Sequence, residues 1–482
     1  MKISFSKEQI LEKLRFENPW WQTDKIDSYY SSMKKREYFK LLFPLITDRK
    51  VKRAVVLMGP RRVGKTVMLF QAMQELISSG VPAKNICYFS VETPIYNGIG
   101  LEELLNYFIE ATENKSTNDL YVFFDEIQYL KDWEVHLKTL VDSYHSVKFI
   151  VSGSAAAALK LKSTESGAGR FTDFILPPLT FHEYLSLKGI EDLIKENAFY
   201  DERDGKKLVI DRSFETSNIT DLNNHFIDYI NYGGYPEVSL SADIQAEPGR
   251  FIKNDIIDKV LLKDLPILYG IEDVQELNSL FTYIAYNSGS EMSLDKISQS
   301  SSVSKQTIQK YISYLEAAFL IKVVHRVDYN AKKFKRANFF KIYLTNPSLR
   351  CALFSPIKED DASAGHLVET AIFSQWNHSE HPLYYARWDK GEIDIVDLFG
   401  AEAPGWVVEI KWSNRCAENP KELDNVLSFC QKNAVTEVSV TTYDVTKKEN
   451  INGLGITFVP SSIYCYTVGK NLVDAKAPGV FY

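Results

Sequence analysis

Cysteine is scarce in this chain. Five residues, Cys87, Cys351, Cys416, Cys430 and Cys465, are spread over 482 positions with no CxxC pair and no histidine at zinc-finger spacing. That excludes a disulfide framework and a structural zinc, and fits free thiols in a reducing compartment. Long apolar runs are also lacking, since no stretch offers the roughly 18 uncharged apolar residues of a membrane span. The opening MKISFSKEQILEKLRFENPWW scatters acids and bases through its apolar positions. A secretory leader does not tolerate that, so a cytoplasmic protein with no membrane partner is expected. Nor is positive charge in excess. A net charge of −7 and a pI near 5.8 argue against wholesale attraction to nucleic acid or acidic lipid.

What remains is globular: 45% hydrophobic, 25% charged and 13% aromatic residues over a length that suits about three cores. The segment KRAVVLMGPRRVGKTVMLFQAMQEL reads as strand, loop and helix. Its loop, Gly59 to Thr66, fits GxxxxGK[ST], in which Gly59 and Gly64 let backbone N–H groups surround phosphates, Lys65 reaches the β/γ oxygens and Thr66 holds Mg²⁺. Some sixty residues later LYVFFDEIQYL delivers Asp125 and Glu126 at the C-terminal end of a strand, the edge where open α/β sheets bind ligands. Asp125 is placed to hold Mg²⁺ through its water shell and Glu126 to polarise an attacking water, so hydrolysis as well as binding is expected. A further strand, VKFIVSGSA, ends in Ser152 and Ser154, either of which is a candidate contact to the γ-phosphate. Arg61 and Arg62 read as phosphate contacts or as ordinary exposed loop residues.

GPRRVGKT, FFDEIQYL, IVSGSA, and GAGR followed by LPPLTFHEYL together resemble the prokaryotic AAA-type P-loop ATPases over about residues 50 to 190. The resemblance implies a five-stranded sheet, ATP with Mg²⁺, a first-sensor role for Ser152 or Ser154, and Arg170 as the candidate arginine for γ-phosphate charge, within its own subunit or across the interface of a homo-oligomer. The turn NYGGYPEV, with Gly233, Gly234 and Pro236, resembles a lid or linker turn of the same group. Before it, KENAFYDERDGKK reads as a solvated loop.

From Leu277 to Asp328 two short helices, a Ser-rich turn, a longer helix and a strand resemble a winged helix. Its recognition-type helix would present Ser304, Lys305, Gln306 and Thr307 to a major groove. From Lys305 to Lys341 nine Lys/Arg stand against two acids, and AKKFKRANFFK interleaves Lys332, Lys333, Lys335 and Arg336 with aromatics. DNA contact through this basic face is expected, with a lid or docking module as the alternative.

The last region sets an electrostatic problem. WVVEIKWS, Trp406 to Ser413, reads as a buried strand, yet Glu409 and Lys411 share one of its faces. Charges in a core need partners. GHLVETAIF offers Glu369 on a helix, and YYARWDKGEIDIVDL offers Asp394 on a strand whose Glu392, Asp394 and Val396 are expected to share a face. Asp394, Glu409 and the Ile410 carbonyl suit a divalent cation, and Lys411 suits an attacking water. The order helix-Glu, strand-Asp, strand-ExK resembles the PD-(D/E)xK, restriction-endonuclease-like nucleases over about residues 351 to 450. It implies Mg²⁺-dependent DNA cleavage with Glu369 near the metal, although the Pro before Asp394 is missing.

The expected fold is therefore α/β, divided into an N-terminal helical segment (1–50), an AAA-type parallel-sheet domain (51–190), a helical lid or linker (191–275), a winged-helix domain (276–345) and a nuclease-like domain (346–482). An ATP-driven DNA enzyme is the leading expectation. A regulatory ATPase whose last domain only binds DNA, and an ATP-dependent protein remodeller, are the alternatives.

Overall fold

The computed structural model describes residues 5–475 except 115, 154–168, 204–205, 335–337, 380 and 400–402. The chain forms two compact units, Met1–Leu176 and Pro177–Tyr482.

Strands β1 (Ala54–Met58), β2 (Ile86–Ser90), β3 (Tyr121–Asp125), β4 (Lys148–Gly153) and β5 (Phe171–Ile175) build the first unit's sheet. All pairs are parallel and the order is β2-β3-β4-β1-β5. The inner strands β1, β3 and β4 are buried along their whole length, which is why they read as unbroken apolar runs. The N-terminal helices belong to this unit. They close the β2 edge, where Tyr88 exchanges both backbone bonds with the Asn18 side chain (2.7 and 3.0 Å) and the Trp20 and Trp21 indoles donate to the Ile86 carbonyl. An open strand edge is a pairing hazard, and here side chains fill it. Helix α1 (Lys65–Ser78) begins directly at the phosphate-type loop.

The second unit opens with helices and a two-stranded hairpin, β6 (Lys195–Arg203) and β7 (Lys206–Glu215). Within KENAFYDERDGKK, read from the sequence as a solvated loop, Lys195–Arg203 and the two lysines Lys206 and Lys207 are therefore strand. Its charges hid the hairpin signal, the Asp204-Gly205 pair between two β-forming runs.

A nine-stranded sheet follows. Its strands are β8 (Glu291–Ser293), β9 (Ile321–Val327), β10 (Phe339–Leu344), β11 (Leu383–Trp388), β12 (Gly391–Phe399), β13 (Ala403–Glu409), β14 (Glu437–Thr442), β15 (Lys447–Ile451) and β16 (Leu454–Pro460), in the order β15-β16-β14-β13-β12-β11-β9-β10-β8. Along the chain, helix α2 (Val274–Tyr286), β8, α3 (Leu294–Ser301), α4 (Lys305–Ala317), β9 and β10 come first, with β10 antiparallel to both β8 and β9. Helix α5 (Ala364–Ser374), the antiparallel run β11-β12-β13, helix α6 (Asp424–Lys432) and β14, parallel to β13, come next. A parallel pairing of β9 with β11 joins the two groups, so one sheet runs through both 276–345 and 346–482.

Two details differ from the strand reading of the sequence. β13 ends at Glu409, and from there the Lys411 backbone is held by the Thr441 hydroxyl (2.8 and 2.9 Å) and by Ser461 (2.9 Å) instead of by a ladder. In β12 the pairing slips between Tyr384↔Val396 and Ala386↔Ile393, so an extra residue is accommodated at Asp394-Ile395. Strict alternation fails there: Ile393 and Val396 lie in one core cluster with Val407, and Ile395 lies in the other with Val408 and Ile410. A bulge of this kind re-aims one side chain out of the pleat.

Candidate functional site

The first candidate site lies where β1, β3 and β4 end. Gly59 leaves β1 so close to the next strand that a Cβ there would stand 2.2 Å from the Leu176 carbonyl oxygen, and Gly64 enters α1 at φ 94°, a conformation that glycine adopts without strain. Between them the loop turns the N-terminus of α1 towards its centre. Lys65 is buried, and its ammonium donates to the carbonyls of Gly59 (3.0 Å) and Pro60 (2.7 Å). Thr66 Oγ1 donates to Asp125 Oδ2 at 2.7 Å, which joins the two residues expected to hold Mg²⁺.

Asp125 is almost fully buried and accepts three side-chain hydroxyls: Thr66, Tyr88 (2.9 Å, on Oδ2) and Ser152 (on Oδ1). Burial, then the neighbouring Glu126 charge, pushes its carboxyl up from the usual range, and the three hydroxyls pull against that shift. Glu126 sits at φ 56° just past β3, its N–H donates to Asp125 Oδ1 (3.1 Å) and to Ser152 Oγ (3.4 Å), and its carboxylate accepts from Gln128. The left-handed backbone turns Glu126 away from the direction in which Asp125 leaves the strand. Hard oxygen donors at 2.7 Å beside a backbone cradle suit Mg²⁺ and phosphate.

Ser152 thus joins the site, and Ser154 lies outside the described residues. Arg170 is not brought to it. Arg170 precedes β5, its carbonyl accepts from Ala54 N at the start of β1, and its guanidinium pairs with Asp142 at 3.0 Å. The P-loop leaves the other end of β1, about 13 Å along the strand. Tyr88 was missed by the sequence reading; the signal was a phenol two residues before the end of an apolar strand beside β3.

The second candidate site gathers charge across β10, β12, β13 and α5. The β12–β13 register, Ile395↔Val408, carries Asp394 to the level of Glu409, and Asp394 Oδ2 accepts from Ile410 N at 2.8 Å. Lys411 Nζ lies 2.6 Å from Glu409 Oε1 and 3.7 Å from Asp394 Oδ2. Glu369, from α5, accepts from Tyr343 and from Lys341, whose Nζ is 2.9 Å from Glu369 Oε1, 2.5 Å from Glu392 Oε1 and 3.6 Å from Asp394 Oδ1.

Burial and the Asp394 charge push Glu409 up to about 8 against the pull of Lys411. Burial pushes Glu369 up to about 7 against the pull of Lys341. Burial works against both ammonium groups, yet the surrounding acids hold Lys341 and Lys411 well above the usual lysine range. Glu409 Oε2 is buried with no hydrogen-bond partner. The Lys341 ammonium reaches both Glu369 Oε1 (2.9 Å) and Asp394 Oδ1 (3.6 Å), so a positive charge already faces these two carboxylates.

Lys341 overturns part of the basic-face expectation, since it is 3% exposed and neutralises acids rather than facing solvent. Arg326 is half-buried, close to Glu291 (3.6 Å) and donating to the Arg387 carbonyl. Of the expected DNA contacts, Lys305 and Gln306 are exposed at the start of α4, with Lys305 paired to Asp295, and Lys332 and Lys333 are exposed between β9 and β10. Lys335 and Arg336 lie outside the described residues. FFKIYL carries the same signature as WVVEIKWS, a charge inside an apolar strand, and would have revealed Lys341.

A family model described as an AAA domain matches residues 51–185. A domain of unknown function (DUF8612) matches residues 223–361. An uncharacterized protein of Haemophilus influenzae is 24% identical over 84% of this chain and 92% of its own length, and one of Methanocaldococcus jannaschii is 24% identical over 72% of each. A Walker-type ATPase of Pyrococcus abyssi is 15% identical, covering 69% of this chain and 97% of that one with a TM-score of 0.37. The match to the AAA model covers the residues of the first site, and neither matched model assigns chemistry to the second. Among the described residues no helix is long and apolar enough to cross a membrane.

Proposed function

We propose that the chain hydrolyses MgATP at the AAA domain and uses the turnover on DNA held by the second unit. The observation that carries the ATPase reading is the Thr66–Asp125 contact at 2.7 Å, which joins the Mg²⁺-holding hydroxyl to the acid at the strand end, with Glu126 one residue beyond. Bound Mg²⁺ supplies charge stabilisation for phosphoryl transfer. Thr66 and Asp125 would hold it, the P-loop amides and Lys65 would orient the phosphates, Ser152 fixes Asp125, and Glu126 would position the lytic water. A homo-oligomer belongs to this reading, because Arg170 lies at the end of the sheet remote from its own P-loop and serves a nucleotide only in another subunit.

The order of elements α2-β8-α3-α4-β9-β10 supports a winged helix, with the exposed Lys332, Lys333 and Phe334 between β9 and β10 and the exposed Phe339 opening β10. The succession of helix α5, antiparallel β11-β12-β13, helix α6 and a β14 parallel to β13 supports reading this region as a restriction-endonuclease-like core. The aligned Asp394, Glu409 and Lys411 support a metal-dependent nuclease centre there. The orphaned Glu409 Oε2 fits a divalent cation, for which Asp394 and Glu409 would be ligands while Lys411 orients the attacking water. A bound cation supplies Lewis-acid assistance at the phosphodiester.

The neutralisation of Glu369 and Asp394 by Lys341 favours a second reading, in which this domain only binds DNA and the ATPase is regulatory. Phosphate release and strand cleavage by the full chain with MgATP, on linear duplex, single-stranded and branched DNA, separate the two. Cleavage lost in Glu409→Gln supports the nuclease. DNA-stimulated turnover without cleavage supports the regulatory reading, and turnover indifferent to every DNA removes the DNA role.

A further inference from the structure

The second site places four carboxylates, Glu369, Glu392, Asp394 and Glu409, around two ammonium groups, Lys341 and Lys411, in one neighbourhood whose partly exposed members are Glu392 and Lys411. Fully ionised, that set carries two excess negative charges, and the Arg387 guanidinium, 3.3 Å from Glu392 Oε2, offsets one of them. The satisfied and unsatisfied acceptors are not evenly spread. Asp394 stands between the two lysines, Oδ1 towards Lys341 at 3.6 Å and Oδ2 towards Lys411 at 3.7 Å, as a bridging carboxylate faces two cations. On the Lys341 side Glu369 Oε1 accepts from both the ammonium and the Tyr343 phenol, and Tyr343 is itself locked by stacking on Phe373 at 3.9 Å between centroids. On the other side Glu409 Oε2 has no hydrogen-bond partner although the residue is only 8% exposed.

We infer that Lys341 takes the place of a second metal ion, so that this centre binds one divalent cation, between Asp394 and Glu409, and Glu369 is a positioning residue for Lys341 rather than a metal ligand. This rests on reading Asp394, Glu409 and Lys411 as a metal-dependent centre. Two-metal nuclease sites hold their cations about 3.5–4 Å apart with a shared carboxylate between them. Here an ammonium fixed by β10 already supplies one of the two charges, at the position a helical Glu would otherwise share with Asp394. A second divalent ion would have to enter against that buried charge. The lysine comes from the strand that follows the exposed β9–β10 loop, so the same β-hairpin that offers Lys332 and Lys333 outside reaches the carboxylates inside.

Mn²⁺ binding to the full chain without nucleotide tests this, with Asp125→Asn introduced so that the AAA domain contributes no ion. One Mn²⁺ per chain is expected, and Lys341→Met is expected to bind two. Glu369→Gln is expected to leave the affinity for the single ion within threefold. Two ions in the parent, one ion in Lys341→Met, or a tenfold loss in Glu369→Gln overturns the inference. No ion in the parent overturns the metal-centre reading along with it, whereas one ion in both parent and Lys341→Met overturns the inference alone. If Lys341→Met fails to fold by circular dichroism, the Glu369→Gln arm decides.

Discussion

The two candidate sites solve the problem of a buried carboxylate in opposite ways. Asp125 is surrounded by neutral hydroxyls from Thr66, Tyr88 and Ser152, whereas Asp394 is surrounded by ammonium groups and a backbone N–H. Hydroxyls can turn to accept or donate and leave the negative charge available to an incoming cation. Ammonium groups already neutralise the charge, so an incoming cation competes with them. The first arrangement suits an ion that arrives with its nucleotide at every turnover. The second suits a site restrained until something else favours metal.

Lys411→Ala breaks the comparison most severely. If Lys411 orients the attacking water, DNA cleavage falls about 100-fold or more while Mn²⁺ affinity stays within several-fold. Equal losses in both would make Lys411 a structural counter-charge. Glu409→Gln sharpens it from the metal side. Mn²⁺ at 100 times its Kd should add about 2.7 kcal/mol to the parent, read as a rise in Tm, and that gain should vanish in the variant. A gain retained in Glu409→Gln places the ion elsewhere.

At the AAA domain, Tyr88→Phe removes one hydroxyl from Asp125 and leaves two. A loss of about 1–2 kcal/mol, seen as a several-fold rise in the Mg²⁺ needed for half-maximal turnover, is expected. An unchanged Mg²⁺ dependence would mean that Tyr88 only packs. The smallest effect belongs to the exposed loop. Lys332→Ala with Lys333→Ala should flatten the dependence of log affinity for duplex DNA on log salt by about 1–2 units, since each lost phosphate contact removes about 0.9. An identical slope makes the loop a solvated face.

How legible these features are in the sequence follows the same division. The AAA domain is a local grammar: Gly59 to Thr66 and Asp125-Glu126 each carry their chemistry in consecutive residues, and parallel strands buried on both faces appear as plain apolar runs. Asp394, Glu409 and Lys411 could be aligned because antiparallel neighbours with short connections share a level. Lys341 could not be placed that way, since it arrives from β10 through a parallel β9–β11 pairing that no local pattern encodes. It was counted with the basic run beside it, although the apolar residues of FFKIYL that flank it mark it as buried. The bulge at Asp394 was hidden for a related reason, because alternation is a rule for regular strands and a one-residue insertion leaves no compositional trace. Arg170 was singled out by its position in the chain, and its position in the sheet, at the start of β5, keeps it from the P-loop of its own subunit.

The central claim is that the Asp125-Glu126 end of β3 completes an ATP-hydrolysing centre. Phosphate release from MgATP by the full chain, wild type against Glu126→Gln, tests it most directly, with nucleotide binding followed in parallel. The account predicts Mg²⁺-dependent turnover in the wild type, a loss of about 100-fold or more in the variant, and ATP affinity preserved within a few-fold because only water activation is removed. Turnover in Glu126→Gln equal to that of the wild type would contradict it.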